Sequence, residues 1–186
     1  VLWLDAHADV NDASCSPSGN LHGMPVACLL GHGPAPLVGW SDQPAALRPA
    51  DIAFLGLRSV DAEERVAIAR LGLQVFDMRH IDEYGMRHTL TEALQGVGED
   101  THLHVSFDLD CLDPADAPGV STGVPGGPTY REMQLCMEMI ADTGRLGSLD
   151  LMEVNPARDV RNRTAELAVD FVRSLFGAST LAREAP

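Results

Sequence analysis

Two acidic clusters, each placed directly after a short apolar run, constrain this 186-residue chain more than any other feature. Val1-Leu2-Trp3-Leu4 runs into Asp5-Ala6-His7-Ala8-Asp9. Val105-Ser106-Phe107 runs into Asp108-Leu109-Asp110, with Asp113-Pro114 just beyond. Side chains alternate along extended backbone, so Asp5, His7 and Asp9 would project together, and so would Asp108 and Asp110. Carboxylates gathered at a strand end are unfavourable unless a cation joins them. Neighbouring parallel strands would merge the clusters into four carboxylates and one imidazole. Such an oxygen-rich set suits Mn²⁺ or Mg²⁺, and Mn²⁺ tolerates the histidine better, whereas zinc usually takes more His or Cys. Four carboxylates exceed the need of one ion. Bridging two divalent ions would balance their charge, and such a pair can hold a hydroxide nucleophile. A lone DxD reads equally well as a helix cap or a surface turn; two after apolar strands favour the metal.

The rest of the chain alternates strand and helix patterns. Short apolar runs at residues 1–5, 52–57, 73–76, 103–107 and 149–154 predict buried strands. Apolar residues at three- and four-residue spacing predict helices over 62–71, 83–95, 130–142 and 164–176, with Gly72, Gly144 and Gly177 as stops for three of them. This order predicts one α/β domain over residues 1–186, a parallel sheet covered by helices on both faces. Met133, Met137 and Ile140 are spaced as one core-facing helix side, and residues 31–49, rich in Gly, Pro and Ala, read as a surface loop. Ligands of such sheets collect beyond the carboxyl ends of the strands, where both acidic clusters fall.

Composition narrows the function further. Hydrophobic residues make up 45% and aromatics 5%, so the core must be aliphatic. A formal charge of −14 repels polyphosphate, which argues against a nucleic-acid partner and fits cationic ligands and metal ions. The four cysteines lack CxxC spacing and read as reduced thiols. No apolar run approaches the roughly 18 residues of a membrane span, so the expectation is a soluble protein without a membrane partner. GxSxG, P-loop and GxGxxG motifs are absent from the sequence. Val1 opens in the middle of a hydrophobic run, which reads as the interior of a longer protein.

The histidines divide. His22 lies in Ser18-Gly19-Asn20-Leu21-His22-Gly23-Met24-Pro25, where Ser18 could simply cap a helix running to Leu30. His102 and His104 alternate within a predicted strand and read as packed or supporting groups rather than metal ligands. His32, His80 and His88 receive no role.

These motifs resemble the ureohydrolase superfamily and, within it, the arginases. Asp5-Ala6-His7-Ala8-Asp9 resembles the DAHxD signature, and Ser106-Phe107-Asp108-Leu109-Asp110-Cys111-Leu112-Asp113-Pro114 resembles SFDxDxxDP; the superfamily match extends to Ala117-Pro118-Gly119 and Gly126-Gly127. Asn11, Ser18-Gly19-Asn20-Leu21-His22-Gly23, Gly56-Leu57-Arg58-Ser59-Val60-Asp61 and Asp150-Leu151-Met152-Glu153-Val154-Asn155-Pro156 select the arginases.

The resemblance implies a three-layer α/β/α fold of the arginase/deacetylase type, with about five of eight family strands present. It implies hydrolysis of L-arginine to L-ornithine and urea by a binuclear manganese site in a cytoplasmic homo-oligomer, a trimer or hexamer. By position, Asp5 and Asp108 would bridge two Mn²⁺ ions, Asp9 would complete one site, and His7 with Asp110 the other. Asp9 would also orient the bridging hydroxide, and His22 would transfer protons. Glu153 would hold the guanidinium, with Thr122 on the substrate side. Asn11, Ser16 and Ser18 would meet the α-carboxylate, Asp61 the α-amino group, with Glu64 nearby.

Departures from the pattern carry their own expectations. Arginases have a further metal-binding histidine in a GGDH motif upstream of DAHxD, which these residues do not include. One ion should therefore bind more weakly, and an isolated chain with a bared sheet edge should fold poorly or aggregate. Ser121-Thr122-Gly123-Val124 stands where G-T-P-V is commoner, and Ser16 where many arginases have threonine. A related amidinohydrolase acting on agmatine or a guanidino-acid would share the metal site without needing Asn11, Ser18 and Asp61. A non-catalytic arginase-like fragment is the other alternative. A Mn-dependent DxD glycosyltransferase would explain Asp108 and Asp110 but not DAHxD.

Overall fold

A computed structural model describes residues 1–38, 42–43 and 45–181. In chain order its elements are β1 (Leu2–Leu4), α1 (Pro25–Leu29), α2 (Ala35–Val38), β2 (Ala53–Leu55), α3 (Ala62–Leu71), β3 (Gln74–Phe76), α4 (Met78–Ala93), β4 (Leu103–Asp108), α5 (Tyr130–Asp142), β5 (Leu146–Met152) and α6 (Arg163–Leu175). Short 3₁₀ turns lie at Leu21–Gly23, Pro49–Asp51 and Leu109–Cys111. The strands form one sheet in the order β3-β2-β1-β4-β5, with every neighbouring pair parallel. This is the expected α/β architecture, and all five predicted strands are present.

The sheet order follows from burial. β1 and β2 are buried on both faces and take the interior of the sheet, as apolar parallel strands must. On one face Leu2, Leu4, Leu55, Val105 and Phe107 pack with residues of α4, α5 and α6. On the other, Trp3 and Phe54 pack with Val26 of α1, with Leu57 and Leu73, and against Ala67 and Ile68 of α3. Met133, Met137 and Ile140 of α5 are fully buried, as their spacing predicts.

β5 is an edge strand with Ser148, Asp150 and Met152 exposed. It begins three residues before the predicted run, and its register against β4 shifts between Leu103 and His104. There His102 Nε2 and His104 Nδ1 both reach Ser148 Oγ, at 2.9 and 2.7 Å.

Helix ends follow local chemistry. Asp61 accepts from the amides of Glu63 and Glu64 to start α3, and Gly72 ends it with φ 64°. Thr129 and Glu132 form a capping box at α5. α4 begins five residues before the predicted 83, because Gly85 (φ 80°, ψ 153°) breaks the helical period between two halves. Ser18 caps no helix to Leu30. The run is shorter, starts at Pro25 in the first-turn position, and Ser18 Oγ instead accepts from the Asn20 amide at 3.2 Å. The predicted loop 31–49 contains the short helix α2, and its residues 39–41 and 44 lie outside the described residues. All four cysteines are free thiols, and no helix among the described residues is long and apolar enough to cross a membrane.

Candidate metal centre

Both acidic clusters open at the carboxyl end of the central strands. Beyond β1 the chain bends at Ala6 and returns to the sheet at His7: the Asp5 amide donates to Leu55 O at 3.2 Å, and His7 bridges Ser59 in parallel. The His7 amide donates to Asp5 Oδ1 at 2.7 Å, and both side chains reach one site. Asp9 gets there differently. That residue turns into the left-handed region at φ 54°, and its carbonyl is held by the amides of Val26 and Ala27. Asp110 also departs from simple alternation. It sits on the 3₁₀ turn Leu109–Cys111, where its amide donates to Asp108 Oδ1 at 2.8 Å. Both acids still reach the same cavity, by turns rather than by strand period. Asp113 does not join them, because its carboxylate accepts from the amides of Ala115 and Gly126.

Three of the groups meet closely. His7 Nδ1 lies 3.4 Å from Asp5 Oδ1 and 3.1 Å from Asp110 Oδ2, and ligand atoms of all three fall within 4.8 Å of one another. Asp5 and Asp110 are buried, at 2% and 1% exposure. The indole of Trp3 donates to Asp5 Oδ2 at 3.0 Å, and Thr122 Oγ1 donates to Asp110 Oδ2 at 2.7 Å.

The electrostatics reflect acids crowded away from water. Burial, then the charge of Asp5, pushes Asp9 up to about 8 and Asp108 up to about 9. Burial raises Asp5 to about 6, with the nearby Asp110 charge adding to the rise against hydrogen bonding from His7. Burial disfavours the His7 imidazolium, but its bonds to Asp110 and Asp5 outweigh that and raise it to about 10. Burial opposes ionisation of Asp110, yet His7 overcomes it and holds that carboxyl below its usual range.

A cavity of about 290 Å³ brings together the residues that the resemblance places in the site. Asp5, His7, Asp9, Asp108 and Asp110 line its floor; Asn11, Ser16, Ser18, His22, Asp61, Glu64, Thr122 and Glu153 complete the walls. Asn11 Nδ2 donates to Asp61 Oδ2 at 2.8 Å. Ser16 Oγ accepts from the Gly19 amide at 3.0 Å. Glu64 is buried and already accepts from the amides of Val10 and Asp61, so much of its work is to join the loop after β1 to α3. His22 is exposed at the rim, and Glu153 follows β5 with φ 63°. A second cavity of about 950 Å³ opens beside Asp5, Asp9, Asp108 and Glu153, walled by apolar residues such as Trp3, Leu29 and Leu47.

Two contributors escaped the sequence reading. Trp3 could have been found, since a buried indole N–H needs an acceptor. Arg58 is the other. Its guanidinium donates to the carbonyls of Gly56, Asp110, Cys111, Leu112 and Val124, tying the end of β2 to the turn that carries Asp110. Only the fold reveals those acceptors.

The arginase family model matches residues 1–177. An arginase of Agrobacterium fabrum is 49% identical over 178 residues, covering 95% of this chain and 54% of that protein. An arginase of Bacillus caldovelox is 45% identical, covering 95% of this chain and 60% of that protein. The crystal structure of an arginase from Bacillus subtilis superposes with a TM-score of 0.93 at 44% identity, over 97% of this chain and 62% of that one. The chain thus spans somewhat more than half the length of the relatives it matches. Sequence along nearly its whole length and a shared parallel sheet lead to one statement of kinship: the chain belongs to the arginase family.

Proposed function

We propose that this chain carries most of the active site of an arginase, which hydrolyses the guanidinium group of L-arginine to L-ornithine and urea with two Mn²⁺ ions. The observation that carries the reading is the single cavity in which the acid–imidazole cluster faces Asn11, Ser18 and Asp61. A metal hydrolase acting on a small amine would need the cluster alone. An amino-acid substrate also needs partners for its α-carboxylate and α-amino groups.

The residues present fit divalent ions. Asp5, His7 and Asp110 offer converging ligand atoms, and burial, then the charge of Asp5, raises Asp9 and Asp108, a cost that a bound cation would relieve. Asp5, His7, Asp9, Asp108 and Asp110 would hold the ions. When bound, the ions acidify a water so that hydroxide is available near neutral pH.

The chain's own groups bind and direct the substrate. Glu153 opposes the guanidinium and holds its planar carbon over the floor of the cavity. Asn11, Ser16 and Ser18 receive the α-carboxylate and Asp61 the α-amino group. Asp9 orients the attacking oxygen. Attack on the guanidinium carbon gives a tetrahedral centre; its C–N bond to the ornithine side chain then breaks, and that nitrogen leaves after taking a proton. His22 at the exposed rim can deliver that proton and recover another from solvent. Agmatine lacks the carboxylate, so its binding would leave the polar groups of the lip unmatched.

The test is urea release by the full chain supplied with Mn²⁺. Release from L-arginine but not agmatine supports the reading. Release from agmatine or a guanidino-acid instead makes the protein a related amidinohydrolase, and release from none makes it a non-catalytic relative.

A further inference from the structure

Ser121 joins two loops that the proposed chemistry treats separately. The residue after it, Thr122, donates to Asp110 Oδ2 on the metal side of the cavity. Ser121 Oγ itself accepts from Asn155 Nδ2 at 3.0 Å, and its carbonyl accepts from Arg158 Nη1 at 3.0 Å. Two residues back, the carbonyl of Gly119 accepts from the Asn155 amide at 2.7 Å. Asn155 lies two residues beyond Glu153, whose φ of 63° is an unfavourable backbone conformation for a side chain of that size. Such a conformation persists only where the flanking chain is pinned. On one flank the pairing of Met152 with Asp108 does this. On the other flank the anchor is Asn155. Its Oδ1 accepts from the Ala157 amide at 3.1 Å, which fixes the amide's orientation and leaves Nδ2 to donate toward Ser121.

We infer that the Ser121 hydroxyl is a positioning residue that, through Asn155, sets Glu153 against the Asp110 side of the cavity and so tunes the site for a guanidinium group. The inference rests on the reading that Glu153 holds the guanidinium. It gives a use to the Ser121 hydroxyl, which the proposed chemistry leaves without a role. The path runs from Asp110 through Thr122, Ser121 and Asn155 to Glu153, alternating hydrogen bonds with short stretches of backbone. Removing the hydroxyl leaves the Gly119–Asn155 backbone bond in place, so the loop relaxes rather than collapses.

Ser121→Ala and Ser121→Thr in the full chain with Mn²⁺ test this. A lost neutral hydrogen bond corresponds to roughly a five- to tenfold change. Ser121→Ala should lower kcat/KM for L-arginine by about that factor. Inhibition by L-ornithine, which keeps the α-groups but lacks the guanidinium, should change less than twofold, and Mn²⁺ stoichiometry should not change. Ser121→Thr, which keeps the hydroxyl, should restore arginine turnover. Equal weakening of arginine and ornithine, no change in either, or no restoration by threonine would overturn the inference. If the unmutated chain releases no urea from arginine, the proposed function falls and this falls with it; an active chain indifferent to Ser121→Ala removes this inference alone.

Discussion

His7 Nδ1 and Asp110 Oδ2 lie 3.1 Å apart, although one follows β1 and the other lies in the turn after β4. Asp5 Oδ1 lies 3.4 Å from the same nitrogen, and the two carboxylates together raise His7 to about 10. With divalent ions stripped by a chelator, His7 therefore carries a proton at neutral pH, and Asp9 and Asp108 largely keep theirs. Ions that use these groups as ligands must displace the protons. Mn²⁺ affinity should rise steadily from pH 6 to 9, with net proton release. Titration calorimetry in two buffers of different ionisation enthalpy measures that release; none at pH 7 would contradict the proposed ligands.

Stability of the chelated protein should fall as pH rises. Asp9, raised from 3.8 to about 8, and Asp108, raised to about 9, hold their protons more tightly when folded. So does His7, raised from 6.5 to about 10. Each contribution is full below the unfolded value and disappears as pH passes the folded one. The carboxyls held low, among them Asp61, Asp113 and Asp159, act below about pH 4 and leave the range from 5 to 9 undisturbed. Thermal melts should show Tm falling across that range and recovering at pH 9 when Mn²⁺ is added. A flat profile would count against the buried acid cluster.

Trp3→Phe isolates one hydrogen bond. The ring remains to fill the space beside Val26 and Phe54, while the donor to Asp5 Oδ2 disappears. Groups that orient a metal ligand typically matter about tenfold in metal affinity. Mn²⁺ affinity should drop by about that factor with little change in Tm. Unchanged affinity would mean that Asp5 needs no help in holding its position.

Arg58→Lys should destabilise the fold by about 2–3 kcal/mol, because one ammonium cannot reach carbonyls spread over Gly56, Asp110, Cys111, Leu112 and Val124. Gly127→Ala should act on the same knot, since an added Cβ would lie 2.5 Å from Cys111 O and 2.7 Å from Arg58 Nη2. Denaturant unfolding measures both, and a wild-type midpoint for either variant would refute this account.

Asp61 serves two purposes, so the choice of variant matters. Its Oδ1 caps α3, while Oδ2 faces Asn11. Asp61→Ala removes both and costs about 1 kcal/mol of helix start as well. Asp61→Asn keeps an acceptor for the cap and loses the charge offered to an α-amino group. Its KM for arginine should rise at least tenfold with Tm nearly unchanged; unaltered kinetics would remove Asp61 from the substrate site.

Local pattern was enough to read the strands, the buried stripe of Met133, Met137 and Ile140 and the stop at Gly72. Period and turn chemistry are properties of neighbours in sequence, so they survive without knowledge of the fold. The same reasoning failed where it extended a period too far, since Asp9 reaches the cavity through a left-handed turn and Asp110 through a 3₁₀ turn, and where it stopped short, since α4 begins at Met78, five residues before the predicted start. Tertiary structure alone decided that β1 lies between β2 and β4, because sheet order depends on burial summed over the whole chain. It alone gave Asp5 the Trp3 indole, Arg58 its ring of carbonyls and Ser121 its hold on Asn155. The residue types at each end could be read from the sequence, but a hydrogen bond forms only after packing has brought distant segments within 3 Å or so of each other.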